Sequence, residues 1–387
     1  MRKLRAGDWV EIRTKEEILS TLDKNGRLDG LPFMPQMFKY CGKRVRVYKR
    51  SHKTCDTVTN TGGRWLPNGI HLDLRCDGAA YGGCQAACLI FWKEAWLKPI
   101  NGSTNPPAIS HSHECERGKH SADERRCTEE DVYRGTRVLA GDARGEIQYS
   151  CQATELPHFT TLLRWWDVRQ YVEDYTSGNA SLGRLVRGFT YLAYWHLALA
   201  KKARLGHVSR LVYDYIQELR GGIPFPRWKG TVLHMHKTPN ASLNLQPGEL
   251  VRVKTYKEIL ATVDTENINR GMAFDAEMVP YCGRVYKVKT QVTKFIDEKT
   301  GRMRSLKTPA VILEDVWCRS GYSNCKMFCP RSIYSWWREV WLERVSDRKD
   351  APELVTDACS TERLHLERSA EPPHAGSDAG KVRTIEH

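Results

Sequence analysis

Short alternations of apolar and polar residues recur at two distant places in the chain. "GDWVEIR" (7–13) and "GELVRVK" (248–254) alternate after a turn glycine, "KRVRVYKR" (43–50) and "RVYKVKT" (284–290) do the same, and "PAVILED" (309–315) is a continuous apolar run. A period of two predicts half-buried strands, and the apolar run predicts a fully buried one. Between the first two strands of each set, "KEEILSTLD" (15–23) and "KEILATVD" (257–264) carry helical spacing. From 157 to about 220 aromatic and aliphatic residues fall three and four apart, broken at "TSGNAS" (176–181) and ended by Gly221, Gly222, Pro224 and Pro226. That pattern predicts helices.

The two β-patterned regions are similar in sequence. "AGDWVEIRTKEEILSTLD" (6–23) aligns with "PGELVRVKTYKEILATVD" (247–264) at an offset of 241, and Gly30, Phe33, Met37, Tyr40 and Cys41 fall on Gly271, Phe274, Met278, Tyr281 and Cys282. The alignment resumes where Cys76, Cys84 and Cys88 meet Cys318, Cys325 and Cys329, and ends with Glu94, Trp96 and Leu97 on Glu339, Trp341 and Leu342. The expected fold class is therefore α+β, with two duplicated small β-rich cysteine-rich modules flanking a helical centre. Short twisted strands opening on a turn glycine suggest an SH3-like barrel, with a plain hairpin as the alternative. The expected divisions are a first module at 1–100, a Cys/His-containing linker at 101–156, a helical region at 157–228, a second module at 245–346 and a polar, disordered tail at 347–387.

Composition sharpens this picture. With 387 residues and 41% hydrophobic content the chain can bury two or three cores. Its longest apolar run, 189–200, is too short to span a bilayer, and "MRKLRAGDWVEI" lacks the apolar stretch of a signal peptide. A cytoplasmic location is expected. There, 13 cysteines, an odd number, favour metal ligation or thiol chemistry over a disulfide framework. The net charge of +14 suits an anionic partner, though surface Lys and Arg also serve solubility.

Each module offers four thiols: Cys41, Cys76, Cys84 and Cys88 in the first, and Cys282, Cys318, Cys325 and Cys329 in the second. Four thiolates close a tetrahedral zinc site or hold an iron–sulfur cluster; the alternative is cysteines packing as small hydrophobes. The spacings, C-x7-C-x3-C and C-x6-C-x3-C, match neither the usual zinc knuckle nor a common cluster motif, so zinc and iron–sulfur both stay open. His52 and Cys55 are extra to the first module, since Thr293 and Ile296 stand at the corresponding places. If the protein is catalytic, a thiol beside a histidine is the candidate nucleophile; a hairpin cysteine without function is the alternative. In the linker, His111, His113, Cys115, His120 and Cys127, with Cys151, supply material for a further site or simply a flexible segment.

No GxGxxG, Walker A, GxSxG or HExxH motif is present, which argues against the commonest nucleotide-binding and hydrolase mechanisms. The clusters FWKEAW and SWWREVW fall at equivalent places in the two modules, so they are expected to be core. The run "GLPFMPQMFKYCGKRVRVYKRSHKTCDT…GGCQAACLIFWKEAWL", with "CQATELP" and the second module, resembles a family of uncharacterised bacterial proteins found with polysaccharide or other envelope biosynthesis genes. The resemblance implies a bacterial cytoplasmic accessory protein and carries no established activity or site residues. The expected function is a zinc or iron–sulfur accessory or scaffold protein serving a biosynthetic enzyme or other protein partner. An iron–sulfur or thiol-dependent enzyme with its site in the first module is the alternative. A nucleic-acid-binding role ranks third, and peripheral membrane contact is a further option for the basic surface.

Overall fold

The computed structural model describes residues 3–100, 126–139, 147–199, 203–219, 223–233, 236–323 and 326–345. The expected disordered tail, Cys325, and the linker candidates His111, His113, Cys115 and His120 lie outside them. The described residues are mixed α+β, mostly sheet with few helices. Among them, no helix is long and apolar enough to cross a membrane.

The first region runs β1 (Trp9–Ile12), α1 (Lys15–Leu19), β2 (Arg27–Leu28), β3 (Leu31–Pro32), a 3-10 turn (Pro35–Tyr40), β4 (Arg44–Arg50), β5 (Lys53–Cys55), β6 (Gly63–Trp65), β7 (Gly69–Arg75), β8 (Leu89–Lys93) and β9 (Leu97–Pro99). The centre holds α2 (Glu129–Arg134), β10 (Arg137–Leu139), β11 (Ile147–Tyr149), β12 (Thr161–Leu163), α3 (Arg169–Thr176), α4 (Leu182–Leu199) and α5 (Ala203–Leu219). The last region runs β13 (Leu250–Val253), α6 (Tyr256–Leu260), β14 (Ile268–Asn269), β15 (Met272–Ala273), a 3-10 turn (Ala276–Tyr281), β16 (Val285–Ile296), β17 (Met303–Trp317), β18 (Tyr334–Trp337) and β19 (Leu342–Arg344).

Two five-stranded antiparallel sheets organise these elements, ordered β8-β7-β4-β1-β9 and β18-β17-β16-β13-β19. Their registers correspond: Trp9 faces Arg46 and Glu11 faces Arg44 in one sheet, as Leu250 faces Lys287 and Arg252 faces Val285 in the other. Both helices that follow the first strand start on a capping box, Thr14 with Glu17 and Thr255 with Glu258, which satisfies backbone N–H groups otherwise left open at a helix start. Each sheet contributes to a separate apolar core. Ile18, Leu31, Met37, Trp92 and Trp96 are fully buried in the first, and Ile259, Phe274, Met278, Trp337 and Trp341 fill the second.

Two parts of the centre depart from expectation. The α-helix expected from 157 begins only at Arg169: Leu156–His158 is a short 3-10 turn, and β12 pairs with β6, Thr161 opposite Trp65 and Leu163 opposite Gly63. The cause is Arg64, whose buried guanidinium donates to the carbonyls of Pro157 (3.2 Å) and Thr160 (2.9 Å) and so takes up acceptors an α-helix needs. Residues 126–139 and 147–156 are not simply a linker either. Cys127, Val132 and Leu156 join the first core, and the Gln152 side chain bonds Phe91 like a one-residue strand, accepting from its N–H at 2.8 Å and donating to its carbonyl at 2.9 Å.

Candidate metal centre

β7 and β8 form a hairpin whose loop end is set by cysteines. The Cys76 N–H, just past β7, donates to the carbonyl of Cys88, just before β8, at 2.8 Å. Between them the chain folds tightly enough that Gly78 has φ +71° and an added Cβ would lie 2.0 Å from the Cys84 carbonyl oxygen. This turn carries Cys84 back over the hairpin. A fourth thiol, Cys151, arrives from the segment after β11, its N–H held at 2.9 Å by the Thr154 hydroxyl.

Cys76, Cys84, Cys88 and Cys151 line one cavity of about 30 Å³, together with Met34 and Arg331. A water needs roughly 10–15 Å³ measured this way, so the space exceeds one heavy atom. The far wall comes from the other sheet: Ile296, at the end of β16, donates its N–H to the Cys84 sulfur at 3.4 Å, and Arg331 enters from beyond β17. Burial pushes the Cys76 thiol up to about 12, with the neighbouring Cys151 and Cys84 adding to the effect. Cys88 and Cys151 are also raised, chiefly by burial, with Arg331 opposing the shift at Cys88. Neutral thiols around an apolar void become thiolates only when a cation arrives to stabilise them.

The grouping differs from the one expected within each module. Cys41 caps the turn Pro35–Tyr40 and feels the charges of Glu16 and Lys15 near α1; it does not line the cavity, and Cys151 stands there instead. Cys282 occupies the equivalent cap after Ala276–Tyr281, its sulfur 4.0 Å from the Met278 carbonyl. Cys127 is buried in the first core, its thiol donating to the Thr128 carbonyl at 3.5 Å. Cys41 and Cys282 cap equivalent turns, and a cysteine can recur in both regions for packing as readily as for ligation.

The second thiol group crosses between the two sheets. Cys55, at the end of β5, and Cys329, ahead of β18, are buried against one another, and the Cys55 N–H donates to the Cys329 sulfur at 3.1 Å. The contact between the two thiols lowers Cys329 and raises Cys55 well above its ordinary value. Cys318 is near enough for its charge to act on Cys329 and to feel that of Cys55.

His52, the expected partner of Cys55, points elsewhere. Its Nε2 lies 3.1 Å from the Gln170 carbonyl and 3.4 Å from Asp174 Oδ1, and burial lowers it to about 3. Lys53 meets the other Asp174 oxygen at 2.5 Å, so β5 is fastened to α3 by a buried polar knot. No sequence signal marked Asp174, which sits mid-helix 121 positions from Lys53. Among the described residues, no group of three or more His, Cys, Asp or Glu side chains could hold a metal ion as placed. The four first-cavity thiols are spread around a void, not drawn onto one point. The chain matches no known protein-family model, no curated protein and no solved structure.

Proposed function

We propose that this protein binds a thiolate-ligated metal cofactor, a zinc ion or an iron–sulfur cluster, through Cys76, Cys84, Cys88 and Cys151. The observation that carries this reading is the gathering of four thiols from two separate chain segments around one cavity. Four soft anionic ligands brought together in this way suit either kind of centre. A four-thiolate centre of either kind carries net negative charge, and the buried Arg331 guanidinium on the cavity wall, itself paired with Glu298 at 3.1 Å, lies beside it.

The equivalent strand order, register and capping boxes support reading the two sheets as copies of one small barrel-like module, SH3-like in its short curved strands. An accessory role is supported by the apolar side chains that α3 and α5 leave exposed, among them Val172, Leu211, Tyr215 and Leu219, which suit a protein partner.

Anaerobic purification followed by iron, sulfide and zinc analysis with a visible spectrum tests this reading. Bound metal that is lost in Cys84→Ser is the expected result, brown protein with matched iron and sulfide identifying a cluster and colourless protein with zinc alone a zinc ion. Protein without bound metal ends the proposal.

A further inference from the structure

We propose that the second region binds a phosphate group, free or carried on a small ester, in a cleft beside the β14–β15 hairpin, where Arg270, Lys237 and the Thr238 hydroxyl hold it. The site shares no residue with the thiol cavity.

The first observation is a charge reversal between the two regions. With Gly30 aligned on Gly271 and Glu94 on Glu339, Asp29 and Lys93 correspond to Arg270 and Arg338. In the first region the buried Lys93 ammonium donates to Asp29 at 2.9 Å. In the second, a guanidinium stands where that carboxylate was. Arg338 is nearly as buried as Lys93 and donates instead to the carbonyls of Arg270 at 2.8 Å and Pro309 at 3.3 Å, with the charge of Arg270 acting against its own. Buried charges are ordinarily paired, so two cations in place of an ion pair leave room for an anion from outside the chain.

The turn points the same way. Arg270 and Gly271 join β14 to β15 with φ +44° and +79°, as Asp29 and Gly30 join β2 to β3 with +50° and +76°. Asp-Gly is favoured in such a turn, whereas an arginine at positive φ is uncommon. Arginine here serves its side chain and not the turn.

The second observation is open space. The first hairpin tip is covered, since a Cβ on Gly30 would lie 2.9 Å from the His158 carbonyl oxygen; a Cβ on Gly271 would meet nothing within 4 Å. Beside Gly271 lies a cleft of about 360 Å³, lined by His236, Lys237, Thr238, Asp264 and Arg270. That volume is in the range of small-ligand sites.

Third, the lining groups suit phosphate. Among the described residues neither Arg270 nor Lys237 has a carboxylate partner. Asp264 directs Oδ1 to the N–H groups of Glu266 and Ile268, each at 2.9 Å. The Thr238 hydroxyl accepts from the Arg270 N–H at 3.1 Å, which leaves its own hydrogen to donate. A guanidinium fork, an ammonium and a hydroxyl match a tetrahedral dianion better than a single carboxylate.

The test titrates the full chain with inorganic phosphate, glycerol 3-phosphate and acetate at fixed ionic strength, read by calorimetry and thermal unfolding. Both phosphates should bind and raise the unfolding midpoint, and acetate should do neither; the tighter of the two phosphates tells the free ion from the ester. Lys237→Ala should weaken phosphate binding about tenfold or more, the scale of a lost charged hydrogen bond. Arg270→Asp restores the first region's ion pair, so it should abolish phosphate binding while the ligand-free variant unfolds no earlier than wild type. Lys237 is exposed, so its variant decides the matter should Arg270→Asp fail to fold. Phosphate without effect on wild type, acetate binding as tightly, or either variant binding phosphate as wild type does overturns the inference. None of these outcomes bears on thiol-bound metal, which is measured separately.

Discussion

Gln85, one residue after Cys84, binds Thr293 of the opposite sheet through two contacts on a single oxygen, which also accepts from the neighbouring Lys294. Its Oε1 accepts from the Thr293 N–H at 2.7 Å, the Thr293 hydroxyl at 3.1 Å and the Lys294 N–H at 3.0 Å. The position explains the need. β16 slips register against β17 between Val292 and Lys294, and the bulge turns these N–H groups away from the ladder. Gln85→Ala is expected to cost about 1–2 kcal/mol, since two backbone donors lose their acceptor while water partly replaces it. Gln85→Glu keeps the acceptor and should cost less. Urea unfolding of the three proteins checks the order; an alanine variant as stable as wild type removes the role.

Trp96 and Trp341 test whether the two cores are built alike. The Trp96 indole N–H donates to the Thr21 hydroxyl at 3.1 Å, and Trp341 to the Thr262 hydroxyl at 2.9 Å. Replacing each threonine by valine keeps the shape and strands an indole N–H. Both variants should lose roughly 1–3 kcal/mol, with Thr262→Val the larger because that bond is fully buried. Denaturant midpoints decide between this and a purely steric role, in which valine would be neutral at both places.

Local pattern made much of this fold readable and left the site half-read. Alternation located β1, β4, β13 and β16, and helical spacing located α3 through α5, because side-chain periodicity is a local property. An α-helix was wrongly expected at 157–168 because the competing partner, Arg64, lies about a hundred positions away. The thiols of 76–88 are legible as a set from their spacing, whereas the repeat points to Cys41 as their neighbour and the cavity is lined instead by Cys151. "CQATEL" was the available signal, a cysteine in a segment with enough apolar residues to pack. Contacts such as Cys55 with Cys329, 274 positions apart, follow from tertiary docking and have no local signature.

His71 predicts a defined acid sensitivity. It is wholly buried in β7, with Nδ1 2.9 Å from the Ile90 carbonyl and Nε2 3.1 Å from the Ser51 hydroxyl. A carbonyl only accepts, so Nδ1 carries the proton and Nε2 accepts from Ser51. Burial lowers the imidazole to about 3, opposed by the Ile90 bond, with Lys49, Arg331 and Arg75 lowering it further. Between pH 6.5 and 3 the unfolded chain therefore binds the proton that the folded chain refuses. The contribution is complete above pH 6.5 and is lost as pH falls toward 3, about 3 kcal/mol between pH 7 and 4.5. The stability difference between wild type and His71→Gln, followed by urea unfolding, should narrow by that amount over this range. A difference constant with pH would show that His71 does not titrate this way.

Gly78 and Gly42 separate backbone strain from displacement of a ligand. Both have left-handed backbones, φ +71° and +73°, but a Cβ on Gly42 meets nothing within 4 Å, whereas one on Gly78 would lie 2.0 Å from the Cys84 carbonyl oxygen. Gly42→Ala should therefore cost only the conformational term, about 1–2 kcal/mol, and leave bound metal unchanged. Gly78→Ala adds a clash with rigid backbone that only movement of the Cys84 turn relieves. Its stability loss should exceed that of Gly42→Ala, and it should lose metal from the first cavity with every cysteine still present. Metal analysis and thermal unfolding of the two variants side by side provide the comparison. If Gly78→Ala retains its full metal content, the turn does not set the position of Cys84.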